Sequence, residues 1–209
     1  CLSVLYLKAD GVLRFKDKVI NIGTESLKEP LYFLKPDSAI LAKKVPFYYP
    51  AFTKDLHYEI ELLVKINKLG KHIEERFAHT YYSQIGLGID FTARDIQQDC
   101  KSKGLPWEKA KGFDGSAIIG TQFFDKEKFE SVQDINFSLN KNGKEVQKGN
   151  SKDMIFTIDK IISYVSQFMT LKIGDIIYTG TPPGVGSVSI GDKLEGFLEG
   201  EKLISLNIK

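Results

Sequence analysis

Apolar and polar residues alternate from His57 to Asn67, with Tyr58, Ile60, Leu62, Val64 and Ile66 on one face. His57, Glu59, Glu61, Leu63 and Lys65 take the other. A period of two predicts a strand with one face packed into a core. The apolar run Tyr82–Phe91 carries Gly86 and Gly88, which predicts a strand where another group comes close to the backbone. Leu31–Leu34 reads as a short buried strand stopped by Lys35-Pro36-Asp37. Val45–Tyr49 is aromatic-rich but broken by proline, hence an irregular edge. Asp134–Lys141 and Lys144–Lys148 flank Asn142-Gly143, the signature of a tight hairpin. Short strands are expected over 174–178, 187–190 and 194–197, and two more within residues 1–23 around Ala9-Asp10-Gly11, followed by a polar connector to Pro30.

The helical period is clearest over Ser151–Gln167, where Ile158, Ile161, Ile162 and Val165 form one stripe. Glu74–Tyr82 and Thr92–Lys103 are shorter candidates, the second ending before Gly104. With no internal repeat and no linker, the expected fold class is α+β, dominated by sheet.

Composition narrows the function classes. The 209 residues suffice for one core, and 42% hydrophobic with 27% charged residues is an ordinary globular mixture. The net charge of +2 supplies no field that argues for nucleic acid or an anionic membrane. No apolar run approaches the roughly 20 residues that cross a bilayer. Cys1 and Cys100 make neither a disulfide framework nor a CxxC pair, so a reduced, cytoplasmic protein is expected.

The candidate chemistry lies in carboxylates. Glu59 and Glu61 leave the same face of a predicted strand, where their charges repel unless a cation sits between them; hard divalent cations prefer such oxygen ligands. The plainer reading is a solvated strand face. Asp90 ends a glycine-containing run, with Arg94 one helical turn on; it reads either as a third ligand or as a helix N-cap.

Five ordered segments carry a family resemblance. His57-Tyr58-Glu59-Ile60-Glu61-Leu62 resembles the HxExEL signature of the fumarylacetoacetate hydrolase superfamily, and Asp90-Phe91-Thr92-Ala93-Arg94-Asp95 its DxTARD segment. Gly104-Leu105-Pro106-Trp107 with Ala110-Lys111-Gly112-Phe113-Asp114 resembles GLPW…AKxFD. Gly149-Asn150-Ser151 with Met154-Ile155-Phe156 resembles GxTxxMxF, and Thr179–Gly186 the TGTPxGVG loop. The resemblance covers residues 18–209, leaving 1–17 as an extension without a reading. It is closest to the short members, acylpyruvases and oxaloacetate decarboxylases.

That resemblance implies a mixed β-roll, a homodimer, and Mg²⁺ or Mn²⁺ held by Glu59, Glu61 and Asp90. It further implies Lys111 beside the metal and the substrate oxygens, and Arg94, Gln97, Gly180 and Thr181 facing a small 2-oxo acid. Trp107 is expected in the core, and His72 and His79 as structural or exposed.

Besides the extra residues 1–17, the chain departs from the short members after Lys18–Gly23, where no RNYxxH segment precedes Glu29-Pro30. In hydrolytic relatives that lid supplies a water-activating His and Glu. Cleavage of a 2-oxo acid through a metal-stabilised enolate needs the metal and Lys111; hydrolysis of a diketone also needs a base for water. The residues as they stand favour oxaloacetate decarboxylation or isomerisation, and a lid beyond them would restore acylpyruvate hydrolysis as an equal. The alternatives are an isomerase of 2-hydroxyhepta-2,4-diene-1,7-dioate-like acids and an inactive protein that binds a 2-oxo acid or metal.

Overall fold

The computed structural model describes residues 4–7, 29–42 and 45–209. The first strands are β1 (Val4–Leu7), β2 (Tyr32–Lys35), β3 (Leu56–Tyr58) and β4 (Ile60–Ile66). One-turn helix α1 (Glu75–Ala78) precedes β5 (Tyr82–Asp90) and β6 (Thr92–Ala93), which lead into helices α2 (Arg94–Ser102) and α3 (Glu108–Lys111). Next come β7 (Ala117–Ile119), β8 (Phe124–Asp125), and the hairpin β9 (Asn136–Lys141) and β10 (Lys144–Asn150). Helix α4 (Ile158–Phe168) is followed by β11 (Ile176–Tyr178), β12 (Gly186–Ser187), β13 (Lys193–Leu198) and β14 (Glu201–Asn207).

Three sheets share one core. The largest has the order β2-β1-β11-β4-β5-β7, with β8 also paired to β5. A four-stranded sheet runs β10-β9-β13-β14, and a three-stranded one β12-β3-β6. All pairs are antiparallel except β1 with β11. The outcome is the sheet-dominated α+β fold expected from the pattern.

The alternating run at 57–67 is not one strand. It breaks at Glu59, so that β3 enters the small sheet, pairing Leu56 with Ala93, while β4 enters the large one, pairing Ile60 with Ile89. The expectation of a single packed face was also incomplete. Leu62, Leu63 and Val64 are all fully buried, because a second apolar group of Phe33, Ala39, Ala117, Ile176 and Tyr178 covers the face of Leu63. Leu63, an apolar residue in the polar phase, is the sequence trace of this two-sided burial.

The glycines of β5 fill the role read for them. A Cβ on Gly86 falls 2.7 Å from the Phe123 ring, and one on Gly88 falls 2.7 Å from the Ile118 carbonyl oxygen and 2.8 Å from Tyr178. Asn142 and Gly143, with φ of 51° and 80°, close β9–β10 as the hairpin signal predicts.

Several boundaries differ. The helical stripe begins at Ile158 rather than Ser151, because the Thr157 side chain caps the helix by accepting from Lys160 N at 3.1 Å. Residues 151–153 form a separate 3₁₀ turn. Leu31–Leu34 is shifted to Tyr32–Lys35 and alternates: Phe33 and Lys35 are buried, Leu34 exposed. The strand expected over 187–190 is only Gly186–Ser187. Trp107 is half-buried against Phe33, at a ring separation of 6.4 Å, rather than in the core. His72 and His79 are both exposed. The hairpin turn expected at Ala9-Asp10-Gly11 and most of the connector after it lie outside the described residues.

Candidate metal and substrate site

The break in the alternating run places Glu59 where the two sheets meet, and Asp90 N donates to the Glu59 carbonyl at 2.8 Å. Glu61 follows on β4, opposite Gly88 of β5, and Asp90 ends β5. The three carboxylates are fully buried, with one oxygen from each lying within 4.8 Å of the others. Three carboxylates turned inward from sheet ends exclude the solvated-face reading, since charged groups are buried only when paired or ligating. The N-cap reading of Asp90 also falls: Ala93 occupies the cap of α2, and no side-chain cap bond is made there.

Cations surround this cluster. Lys111, at the end of α3 and fully buried, donates from Nζ to Glu59 Oε2 at 3.0 Å, to Asp90 Oδ2 and to the Thr92 hydroxyl. It is not a solvated surface lysine. Arg94 does not pair with Asp95 or Asp99. Its Nη2 reaches Glu59 Oε1 at 2.5 Å, and its Nη1 donates to Gln97 Oε1 at 2.7 Å. Asp95 instead accepts from Thr53 Oγ1 and Lys54 N, holding the preceding loop against α2. Gln97 is 2% exposed, and its Nε2 has no hydrogen-bond partner among the described residues. A buried amide donor left open beside a guanidinium suits an anionic ligand.

The glycine-rich loop closes the other side. Gly180, at φ 103°, donates its N–H to Glu61 Oε2 at 2.6 Å. Thr181 is 2% exposed and accepts from Gln147 Nε2 at 2.8 Å. His57 contacts Asp55 Oδ1 through Nε2 at 2.8 Å and stands outside the carboxylate group, as support rather than ligand. Burial, and after it the Arg94 charge, lower its pKa. Tyr178 is fully buried and donates its hydroxyl to the Ile118 carbonyl; burial, then the charges of Asp90 and Glu61, hold it protonated.

Two participants were missed in the sequence. Lys35, read only as the end of a strand, is 1% exposed and forms an ion pair with Asp90 Oδ1 at 2.6 Å. It also donates to Ser116 Oγ at 2.8 Å and to the Lys111 carbonyl. Burial lowers its pKa to about 8 against the opposing pull of Asp90. The available signal was its phase: Lys35 lies two residues from the buried Phe33, so it faces inward. Gln147 is the other, and it lies on a hairpin strand with no chemical motif.

The donor set fits a hard divalent cation. Oxygen ligands converge from β4, β5 and the junction between β3 and β4, with the neighbouring cations directed at the same carboxylates.

The family model described as fumarylacetoacetate (FAA) hydrolase C-terminal matches residues 13–208. The mitochondrial oxaloacetate tautomerase of Homo sapiens is 42% identical over 195 residues, covering 93% of this chain and 87% of that protein. The mitochondrial oxaloacetate decarboxylase of Dictyostelium discoideum is 39% identical over 176 residues, covering 84% and 80%. Among solved structures, fumarylpyruvate hydrolase from Pseudomonas aeruginosa in complex with Mn²⁺ and pyruvate is 33% identical. It aligns with a TM-score of 0.80 over 86% of this chain and 78% of that one.

Proposed function

The chain belongs to the fumarylacetoacetate hydrolase family, and we propose that it is a divalent-metal-dependent enzyme that cleaves the C3–C4 bond of an acylpyruvate or oxaloacetate, one carbon removed from the 2-oxo group. The observation that carries this reading is the group of three buried carboxylates converging within 4.8 Å, with Lys111 bridging Glu59 and Asp90.

Glu59, Glu61 and Asp90 would hold Mg²⁺ or Mn²⁺, both suited to carboxylate oxygens. When bound, the cation supplies Lewis-acid polarisation of the 2-oxo oxygen. The protein's own groups do the rest. Lys111 keeps a fixed positive charge where the cleaved bond leaves its electron pair, preorganised by Glu59, Asp90 and Thr92. Arg94 and the open Nε2 of Gln97 orient a substrate carboxylate, with Thr181 and Gly180 facing it from the loop. Burial of these groups limits bulk water around the electron-rich product of decarboxylation, whereas cleavage of an acylpyruvate also consumes one water, whose oxygen joins the departing acyl group.

Charge supports a dianionic substrate. Lys35, Lys111 and Arg94 contact Glu59 and Asp90 directly, so with Glu61 three cations stand against three carboxylates and the protein groups nearly cancel. A bound dication leaves an excess near +2, which a dicarboxylate such as oxaloacetate neutralises. Removing a proton from C3 instead of breaking the C3–C4 bond gives an enolate of the same kind, and protonating it on the 2-oxo oxygen completes a tautomerisation, the activity in the human relative's name.

The test is pyruvate release from oxaloacetate and from acetylpyruvate, with Mg²⁺, with Mn²⁺ and in EDTA, alongside enol absorbance. Metal-dependent pyruvate supports cleavage, and an absorbance change without pyruvate supports tautomerisation or isomerisation. Full activity in EDTA excludes the metal reading, and ligand stabilisation without turnover points to a binding protein. The proposal extends to a homodimer, supported by the resemblance and checked by light scattering. It extends also to a cytoplasmic location, supported by the sparse cysteines and checked by fractionation.

A further inference from the structure

We propose that Gln147 is a positioning residue that ties the carboxylate strand to the glycine-rich loop and aims the Thr181 hydroxyl at a substrate carboxylate. The inference rests on the 2-oxo acid reading above.

Gln147 reaches the site from a different sheet. β10 belongs to the four-stranded sheet, whereas Glu61 and Asp90 lie on the large one. Along β10, Glu145 pairs with Asn140 and Gln147 with Leu139, leaving Val146 as an extra residue. A bulge of this kind re-aims the side chain beside it. Gln147 is turned inward to 1% exposure, between the exposed Glu145 and Lys148.

Each polar atom of its amide is used. Oε1 accepts from Ile60 N at 3.0 Å, the peptide N–H between Glu59 and Glu61. Nε2 donates to Thr181 Oγ1 at 2.8 Å and to the Pro182 carbonyl at 2.9 Å. One acceptor at one end and two donors at the other is the pattern of a primary amide and of no ionised carboxylate. The backbones are already in contact here. A Cβ on Gly184 falls 2.1 Å from the Val146 carbonyl oxygen, and one on Gly149 falls 2.9 Å from Pro182. Gly180 N on Glu61 Oε2 is a second tie between the same strand and loop.

The consequence concerns one proton. A threonine hydroxyl has a single hydrogen, and the Thr181 oxygen already receives one from Gln147. Its own proton therefore points away from Gln147, and among the described residues no protein acceptor takes it. It is left for an anionic ligand. Gln147→Glu keeps the acceptor for Ile60 N but turns the other end into an acceptor, which captures the Thr181 proton. Gln147→Met removes both functions.

The test uses the full chain. Oxalate, a compact dicarboxylate with vicinal oxygens, is titrated calorimetrically into protein saturated with Mn²⁺. Mn²⁺ affinity is read separately by electron paramagnetic resonance, and folding by melting temperature. Gln147→Glu, Thr181→Val and the double variant are compared with the parent, with Gln147→Met standing in should Gln147→Glu not fold. Loss of one hydrogen bond to a charged ligand predicts oxalate binding weaker by about tenfold in each single variant, with Mn²⁺ affinity held within about threefold. The double variant should bind oxalate no more weakly than Thr181→Val alone, and KM should rise more than kcat falls. Additive losses, or equal losses of Mn²⁺ and oxalate affinity, overturn the inference, as does parent-like oxalate binding in Gln147→Glu or Gln147→Met. Failure of the metal-loaded parent to bind oxalate overturns the 2-oxo acid reading itself, and the inference with it.

Discussion

Lys111→Met separates the electrostatic role of this lysine from its catalytic one. The side chain is fully buried, and its ammonium contacts Glu59, Asp90 and Thr92. In metal-free protein the substitution leaves the carboxylates with one negative charge in excess and the Thr92 hydroxyl without its donor. Breaking a buried ion pair by removing one partner costs about 3–5 kcal/mol. The lower end applies, because Glu59 keeps Arg94 and Asp90 keeps Lys35. For a chain of this length, about 3 kcal/mol lowers the melting temperature by roughly 6–12 °C. A bound dication replaces the missing positive charge, so the variant should gain more from metal than the parent does. The assay is thermal unfolding of both proteins in EDTA and over a Mn²⁺ titration, with turnover measured on the same samples. The expected result is a large stability gap in EDTA that narrows with Mn²⁺ while activity stays low. Equal melting temperatures in EDTA, or an equal metal-induced gain in both proteins, would refute the charge argument.

Three further outcomes are expected. Burial holds the Lys35 pKa at about 8, below its ordinary 10.5, so between those values the unfolded chain binds more protons and stability rises with pH. In EDTA, denaturant titrations from pH 8 to 10 should show this slope, at most about 1.4 kcal/mol per pH unit, in the parent and not in Lys35→Met. Gly184→Ala meets both a φ of 103° and the Val146 carbonyl at 2.1 Å, so it should destabilise by about 1–3 kcal/mol and weaken oxalate binding; unchanged values would contradict the close approach of loop and β10. Arg94→Lys keeps the charge but loses the two-pronged reach to Glu59 and Gln97, so steady-state kinetics should show KM rising by about tenfold; an unchanged KM would remove Arg94 from substrate binding.

The elements legible in the sequence were those whose physics is local. Period two over 57–67, the Asn142-Gly143 turn and the Ile158–Val165 stripe each reflect a few consecutive backbone or side-chain preferences, and each recurs as a strand, hairpin or helix. The glycines of β5 were legible for the same reason, because absence of a Cβ marks a close approach whatever provides it. Among the site residues, Glu59, Glu61, Asp90, Lys111 and Arg94 were recognisable through ordered motifs, and they converge in the structure.

What the sequence by itself determined is the alternation, the turn chemistry and the identity of the acidic and basic groups. Only the tertiary structure decided that the run at 57–67 breaks at Glu59, since the break comes from pairing with Ala93 in one sheet and Ile89 in another. It also decided the fate of Lys35 and Gln147, which approach the carboxylates from positions 55 and 57 residues away from Asp90 in the chain. The physical reason is that periodicity records which face a side chain leaves by, while burial and pairing depend on what distant strands bring to that face.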